Sequence, residues 1–240
     1  MLSKNQIKLI NQLHQKKYRK KNKLFIAEGI KTVKELLASE YELEMLYMTA
    51  DILYTPEDRQ HIISDKELKK ISQLKTPQRL LALFKIPERT LDLETGFSLA
   101  LDGVRDPGNL GTIVRLCDWF GIEQLVCSTD TVDCYNPKTV QATMGSLGRV
   151  KVVYTDLPKF LSQSEKPIFG TFMDGETIYE NRLPKEAIVV LGNEANGISA
   201  RVDNLVSYRL GIPQFGTKKV TESLNVATAA AIVINEFKRW

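Results

Sequence analysis

Short apolar runs recur along this chain, each followed by a helical pattern or a glycine-rich turn, and the clearest is Ile188-Val189-Val190-Leu191 leading straight into Gly192. A run this short is no core helix, and it does not alternate with polar residues, so it reads as a strand buried on both faces. Burial on both faces requires helices on each side of the sheet. The fold class that follows is α/β, with an open and largely parallel sheet. In the second half the strand candidates are 97–104, 123–128, 150–155, 167–173, 187–191 and 206–212, and a helix rich in small residues is expected over 223–237.

The first half repeats this alternation on a smaller scale. Ser3 and Gln6 form a capping-box pattern, and Ile7, Ile10, Leu13 and His14 follow at helical spacing, which predicts one helix over 3–17. Strands at 24–27, 43–48, 62–63 and 80–86 are separated by helical patterns at 30–37 and 64–74, the second capped by Ser64 and Glu67. A second, smaller and largely parallel α/β domain is expected. Residues 87–96 combine helix breakers with four charges and no periodicity, so the boundary falls there, giving domains of 1–92 and 93–240.

Several function classes drop out. The longest nearly apolar run, Val226 to Ile234, is nine residues where a membrane span needs about twenty. Three cysteines without a Cys-x-x-Cys pair and two histidines argue against a structural zinc site, so no metal is expected and a reducing, cytoplasmic setting is. The net charge of +4 is unevenly spread. Residues 1–23 hold Lys4, Lys8, Lys16, Lys17, Arg19, Lys20, Lys21 and Lys23 with no acid. Residues 1–92 carry eighteen basic and twelve acidic side chains, a net +6, which leaves 93–240 at −2. The stretch Lys16, Lys17, Arg19, Lys20, Lys21 and Lys23 is therefore the candidate contact to nucleic-acid phosphates, with Tyr18 set among the lysines.

In an open parallel sheet, ligands bind at the carboxyl ends of the strands, so polar sequence directly after an apolar strand marks a candidate site. Three such loops stand out. After 97–104 comes Asp106-Pro107-Gly108-Asn109-Leu110-Gly111-Thr112-Ile113-Val114-Arg115, a turn in which Asn109 is the expected helix cap and Arg115 lies almost two turns further on. After 187–191 comes Gly192-Asn193-Glu194-Ala195-Asn196-Gly197. Its glycine spacing is neither a dinucleotide fingerprint nor a P-loop, which disfavours a nicotinamide enzyme. After 206–212 comes Pro213-Gln214-Phe215-Gly216 and then Ser223-Leu224-Asn225, with Ser223 or Asn225 expected to cap the helix over 223–237.

Together these loops resemble the three motifs of the SpoU/TrmH family of RNA ribose 2′-O-methyltransferases, within the SPOUT superfamily. Asn109 to Arg115 looks like the first motif, Leu191 to Gly197 the second, and Ile212-Pro213 through Ser223-Leu224-Asn225 the third. Phe25-Ile26-Ala27-Glu28-Gly29 and Thr76-Pro77-Gln78 are similar to the ribosomal-protein-like, substrate-binding α/β module that many members carry. Ala195 stands where glycine is usual, Gln214 replaces a common Met, Thr112 a usual Ala, and the loop with Lys218 and Lys219 is longer than in many members.

The resemblance implies a trefoil-knotted catalytic domain behind a smaller N-terminal RNA-binding domain. It implies S-adenosylmethionine as cofactor, held by Gly192, Asn193, Glu194, Gly197, Ile212, Pro213, Ser223, Leu224 and Asn225. It places Arg115, with Asn109, Glu194, Ser223 and Asn225, at the chemistry, Arg115 acting as base or as electrostatic activator. The expected partners are RNA, ribosomal ahead of transfer RNA, and a second copy in a homodimer, with no membrane and no DNA. The competing expectation is a non-catalytic RNA-binding or ribosome-assembly factor that retains the fold.

Overall fold

The computed structural model describes residues 1–180, 182–216 and 223–239. As far as residue 101 the elements are α1 (Lys4–Gln12), α2 (Lys16–Asn22), β1 (Leu24–Glu28), α3 (Ile30–Leu37), β2 (Leu43–Met48), β3 (Gln60–Ile62), α4 (Asp65–Ile71), β4 (Leu80–Lys85) and β5 (Phe97–Leu101). Beyond it come α5 (Pro107–Trp119), β6 (Gln124–Ser128), α6 (Pro137–Thr143), β7 (Lys151–Thr155), α7 (Leu157–Ser162), β8 (Ile168–Thr177), β9 (Ala187–Leu191), α8 (Ala200–Asp203), β10 (Tyr208–Gly211) and α9 (Val226–Lys238). The chain divides into two compact units. The first is Met1–Glu88 with Asp133–Arg149, and the second is Arg89–Val132 with Val150–Trp240.

The first unit has a sheet of order β1-β4-β2-β3, in which β1 and β2 run antiparallel to β4 and only β3 is parallel to its neighbour. The expectation of a largely parallel sheet is corrected here. All five residues of β1 and the first five of β4 are buried, and a strand covered on both faces has the same apolar pattern in either direction. One face of the sheet packs Leu24, Ile26, Leu81 and Leu83 against Ile10 and Leu13, from α1 and the residue that ends it, and Leu68 and Ile71 of α4. On the other, the Phe25 ring stacks with Phe84 and meets Tyr41 at 5.3 Å and Tyr135 at 4.8 Å. Tyr135 belongs to residues 133–149, which sequence had assigned to the 93–240 domain.

The helix expected over 3–17 is two helices. Its start is as read: the Ser3 side chain accepts from the Gln6 N–H in a complete capping box. The Leu13 carbonyl, which a continuing helix would offer to residue 17, instead accepts from Arg19 Nη1 at 2.8 Å. Arg19 is 2% exposed, and its Nε and Nη2 lie 3.0 and 2.6 Å from Asp133 Oδ2. Arg19 therefore leaves the set of candidate RNA contacts, because its charge is spent inside the unit. Lys16, Lys17, Lys20, Lys21 and Lys23 are exposed.

The second unit has a six-stranded, wholly parallel sheet of order β10-β8-β9-β5-β6-β7. Ala100, Val126, Ile188 and Val190 from its centre pack against Leu157, Phe160 and Leu161 of α7 and Val202 of α8. The helix expected from 223 begins at Val226. Strand order places the carboxyl ends of β5, β9, β8 and β10 side by side, so all three motif loops leave the sheet from one edge.

Candidate active site

The first loop enters α5 through Asp106, whose side chain accepts from the Asn109 N–H at 2.7 Å. Asp106 is the helix cap that sequence had assigned to Asn109. Pro107 at the first helical position, where its missing N–H costs nothing, is the signal that decides it. Asn109 is thereby left free to bond across loops. Its Nδ2 donates to Glu194 Oε1 at 2.9 Å, and its Oδ1 accepts from Asn225 Nδ2 at 2.9 Å. Asn225 caps α9, its Oδ1 accepting from the Ala227 and Thr228 N–H groups. One polar residue from each loop thus stands in a single hydrogen-bonded row, Glu194–Asn109–Asn225.

The Glu194 carboxylate also accepts from the Arg105 N–H at 3.3 Å and, more weakly, the Asp106 N–H at 3.5 Å. Partial burial alone would raise its pKa. The donors from Asn109 and the backbone outweigh that and hold it below the ordinary carboxylate value. A lowered pKa means that the ionised form stabilises the fold above the ordinary value of 4.5, and that this contribution fades as pH falls through the lowered one. Glu194→Gln is expected to cost about 1 kcal/mol at neutral pH, the size of a charge-assisted bond discounted for exposure. Thermal melts below pH 4.5 should bring the two proteins together, and a gap unchanged from pH 7 to pH 3 would contradict the assignment.

The second loop folds back on itself. Asn193 and Gly197 exchange both backbone hydrogen bonds, at 2.8 and 2.9 Å, and Gly197 adopts φ +66°. The Asn193 side chain donates to the Gly103 carbonyl at 2.6 Å and accepts from the Ala195 and Asn196 N–H groups. Asp102 Oδ2 accepts from the Ser199 N–H at 2.7 Å, tying the loop to the end of β5. Gly192 is the point of closest approach: a Cβ there would lie 2.2 Å from the Gly197 carbonyl carbon. Because the obstacle is backbone, Gly192→Ala must displace the loop, and a stability loss of about 1–3 kcal/mol is expected. Urea denaturation tests this, and an unchanged midpoint would show that the loop relaxes freely.

Beside these loops lies a cavity of about 760 Å³. Of the residues read from sequence, Gly192, Asn193, Glu194, Gly197, Ile212, Pro213, Ser223 and Leu224 line it. Asn109, Asn225 and Arg115 are not lining residues. Asn109 and Asn225 connect to it through Glu194, whereas Arg115 is exposed on α5, about 9 Å further along the helix axis than Asn109. No hydrogen bond or ion pair reaches Arg115 among the described residues. The loop Thr217–Glu222, with Lys218 and Lys219, lies outside the described residues.

One wall was not foreseen. Between β8 and β10 the register jumps: Arg209 pairs with Gly170, but Leu210 pairs with Glu176. Thr171 to Gly175 are thrown out of the ladder, and Thr171, Phe172 and Met173 become cavity wall. Arg209 stands opposite, its guanidinium 3.5 Å from the centre of the Phe172 ring and paired with Asp174 at 3.0 Å and Asp203 at 2.7 Å. The only hint in the sequence is Gly175, where a Cβ would lie 2.4 Å from the Leu210 carbonyl carbon.

Residues 96–235 match the model of the SpoU rRNA Methylase family, and residues 4–82 match the MRM3-like substrate binding domain. The chain belongs to the SpoU rRNA methylase family. It is 31% identical, over 97% of its length and 96% of the relative's, to the 23S rRNA (guanosine(2553)-2′-O)-methyltransferase RlmP of Bacillus subtilis. Among solved structures, a putative TrmH-family RNA methyltransferase from Porphyromonas gingivalis superposes with a TM-score of 0.92 at 41% identity, covering 100% of this chain and 99% of that one. An AdoMet-bound rRNA methyltransferase from Sinorhizobium meliloti gives a TM-score of 0.86 at 26% identity, covering 100% and 96%. In this SpoU methylase chain the row Glu194–Asn109–Asn225 takes one residue from each of the three family-like motifs.

Proposed function

We propose that this protein transfers a methyl group from S-adenosylmethionine to a ribose 2′-hydroxyl of ribosomal RNA. The observation that carries this reading is the convergence of the three motif loops on one cavity at the carboxyl edge of the parallel sheet. The cavity suits the cofactor in size, since small-molecule sites run from about 300 to 1,000 Å³, and in character. Leu191, Ile198, Leu210, Ile212 and Leu224 offer apolar walls, while the loop around Gly192 leaves backbone groups close to them. Bound there, S-adenosylmethionine supplies an electrophilic methyl group on a sulfonium. Gly192, Asn193, Glu194, Gly197, Ile212, Pro213, Ser223 and Leu224 would hold it, with Asn225 behind them.

The chain's own residues divide the remaining work. Both polar atoms of Asn109 and of Asn225 are engaged in the row and the α9 cap, and Glu194 accepts three N–H groups, so we assign these three to positioning. Arg115 is left as the cation for the chemistry. Its planar cationic fork suits it to activate the hydroxyl by stabilising developing negative charge and pairing with the adjacent phosphate. Trp119, one helical turn beyond Arg115 and 84% exposed, supports a homodimer in which a second copy covers this face of α5. Sedimentation analysis of Trp119→Glu checks that point. A trefoil knot in the catalytic unit, and a cytoplasmic setting where ribosomal RNA is modified, belong to the same reading.

The RNA should meet the exposed lysines of α2. Replacing Lys16, Lys17, Lys20 and Lys21 by alanine should reduce the slope of log affinity against log salt by about three, at roughly 0.7–0.9 per phosphate contact. An unchanged slope would remove α2 from the interface. For the activity itself, calorimetry with S-adenosylmethionine is followed by tritium transfer from labelled donor into unmodified ribosomal RNA. Saturable binding and label on a ribose are expected; the absence of both would overturn the reading.

A further inference from the structure

The cavity wall from Thr171 to Met173 lies in an irregular segment, and the residue that holds it there comes from the neighbouring strand. Thr171 to Gly175 leave the β8–β10 ladder between the Arg209–Gly170 and Leu210–Glu176 pairs. Both ends of this segment are tied. The Thr171 hydroxyl donates to the Val190 carbonyl at 3.2 Å, and Gly175 passes so close to β10 that a Cβ would lie 2.4 Å from the Leu210 carbonyl carbon. Between the ends, Phe172 folds back over Gly170, where a Cβ would lie 2.5 Å from the ring's Cε2 and 3.1 Å from Ile198 Cδ1. The missing side chain leaves the ring its place beside Ile198.

Arg209 closes the arrangement. Its guanidinium carbon lies 3.5 Å from the centre of the Phe172 ring, Nη2 donates to Asp174 Oδ1 at 3.0 Å, and Nη1 donates to Asp203 Oδ1 at 2.7 Å. One planar cation thus joins β10, which carries it, to the expelled segment through Phe172 and Asp174, and to the end of α8 through Asp203. The side chains of Arg209, Asp174 and Asp203 are 41%, 77% and 40% exposed, and ion pairs this open add little to stability. What the cluster fixes is position, because Phe172, Arg209 and Asp203 all line the cavity, as do Met173 and Ile198.

We propose that Arg209 is a positioning residue for S-adenosylmethionine, setting through Phe172 the wall against which the cofactor is seated. This rests on the reading of the chain as a methyltransferase that uses this cofactor, and it adds a residue outside the three motif loops. Arginine suits the place better than lysine, because a planar fork can lie on a ring while two of its amino groups meet two carboxylates. Without the guanidinium the ring loses its cover, and Asp174 and Asp203 lose the cation between them. The wall then has several arrangements where it had one, and a ligand that fits only one of them binds more weakly in proportion.

The test uses the full chain. Calorimetry with S-adenosylmethionine should show about fivefold weaker binding in Arg209→Ala, the size expected for an exposed cation–π contact. The melting temperature should move by less than about 3 °C. Arg209→Lys, which keeps the charge and loses the fork, should fall between the two proteins. Phe172→Leu should weaken binding as much as Arg209→Ala, and the double variant no further, because the two side chains act as one unit. Arg201→Ala removes an α8 arginine that pairs with Asp156 at 4.0 Å and does not line the cavity, so it should bind as wild type does. In transfer assays the loss should fall on KM for the cofactor, with kcat changed less than about twofold. Unaltered affinity in Arg209→Ala, additive losses in the double variant, an equal loss in Arg201→Ala, or a fall in kcat as large as the rise in KM would each overturn the proposal. Wild-type protein that binds no S-adenosylmethionine would overturn the functional reading as well, so the two failures are told apart.

Discussion

Replacing Arg115 by alanine is expected to lower single-turnover methyl transfer by about 10²–10³-fold, the loss that follows removal of one preorganised donor to a developing oxyanion. Affinity for S-adenosylmethionine should stay within twofold, because Arg115 does not line the cavity. The melting temperature should not move either, since the side chain is exposed and no described residue bonds it. Arg115→Lys keeps the charge and loses the planar fork, so it should recover part of the rate. Three measurements therefore separate chemistry from folding and from cofactor binding. Wild-type turnover in Arg115→Ala would remove the residue from the mechanism and leave Ser223 as the next candidate.

The largest loss of stability should come from Arg19→Ala, about 3–5 kcal/mol in equilibrium urea denaturation. Truncation leaves the Asp133 carboxylate, 14% exposed, without its cation, and the buried Leu13 carbonyl without its donor. A domain of this size is stable by only about 5–15 kcal/mol, so the first unit should be close to unfolding at 37 °C. The penalty belongs to the orphaned partner more than to the pair. Arg19→Met combined with Asp133→Leu should therefore recover most of it. A loss below 1 kcal/mol in Arg19→Ala would mean that water reaches Asp133 and that the pair contributes little.

The second unit was largely legible because its signals are local. Ile188 to Leu191 announces a strand covered on both faces, and Gly192 to Gly197 announces a turn where backbone is exposed, whatever surrounds them. What the sequence hid is non-local. The Asn109–Glu194 and Asn109–Asn225 bonds join residues 85 and 116 apart, so resemblance grouped them but spacing did not. The wall from Thr171 to Met173 arises from a register jump against β10, which no pattern within β8 contains. Arg19 read as one more lysine-like charge in a basic run, because its partner Asp133 is 114 residues away. The antiparallel β1–β4 pair was missed for a different reason: strands buried on both faces carry no mark of direction.

Residues 133–149 make the first unit discontinuous in sequence, and this orders events while the chain is being made. When Glu88 leaves the ribosome, Phe25 lacks Tyr135 and Arg19 lacks Asp133. Both arrive only after β5, α5 and β6 of the second unit have been synthesised. Neither unit is finished before the other has begun. The N-terminal module thus completes its packing as a guest of the chain that follows, and a gene fragment ending at the linker would encode one packed face of the sheet and leave the Phe25 face open.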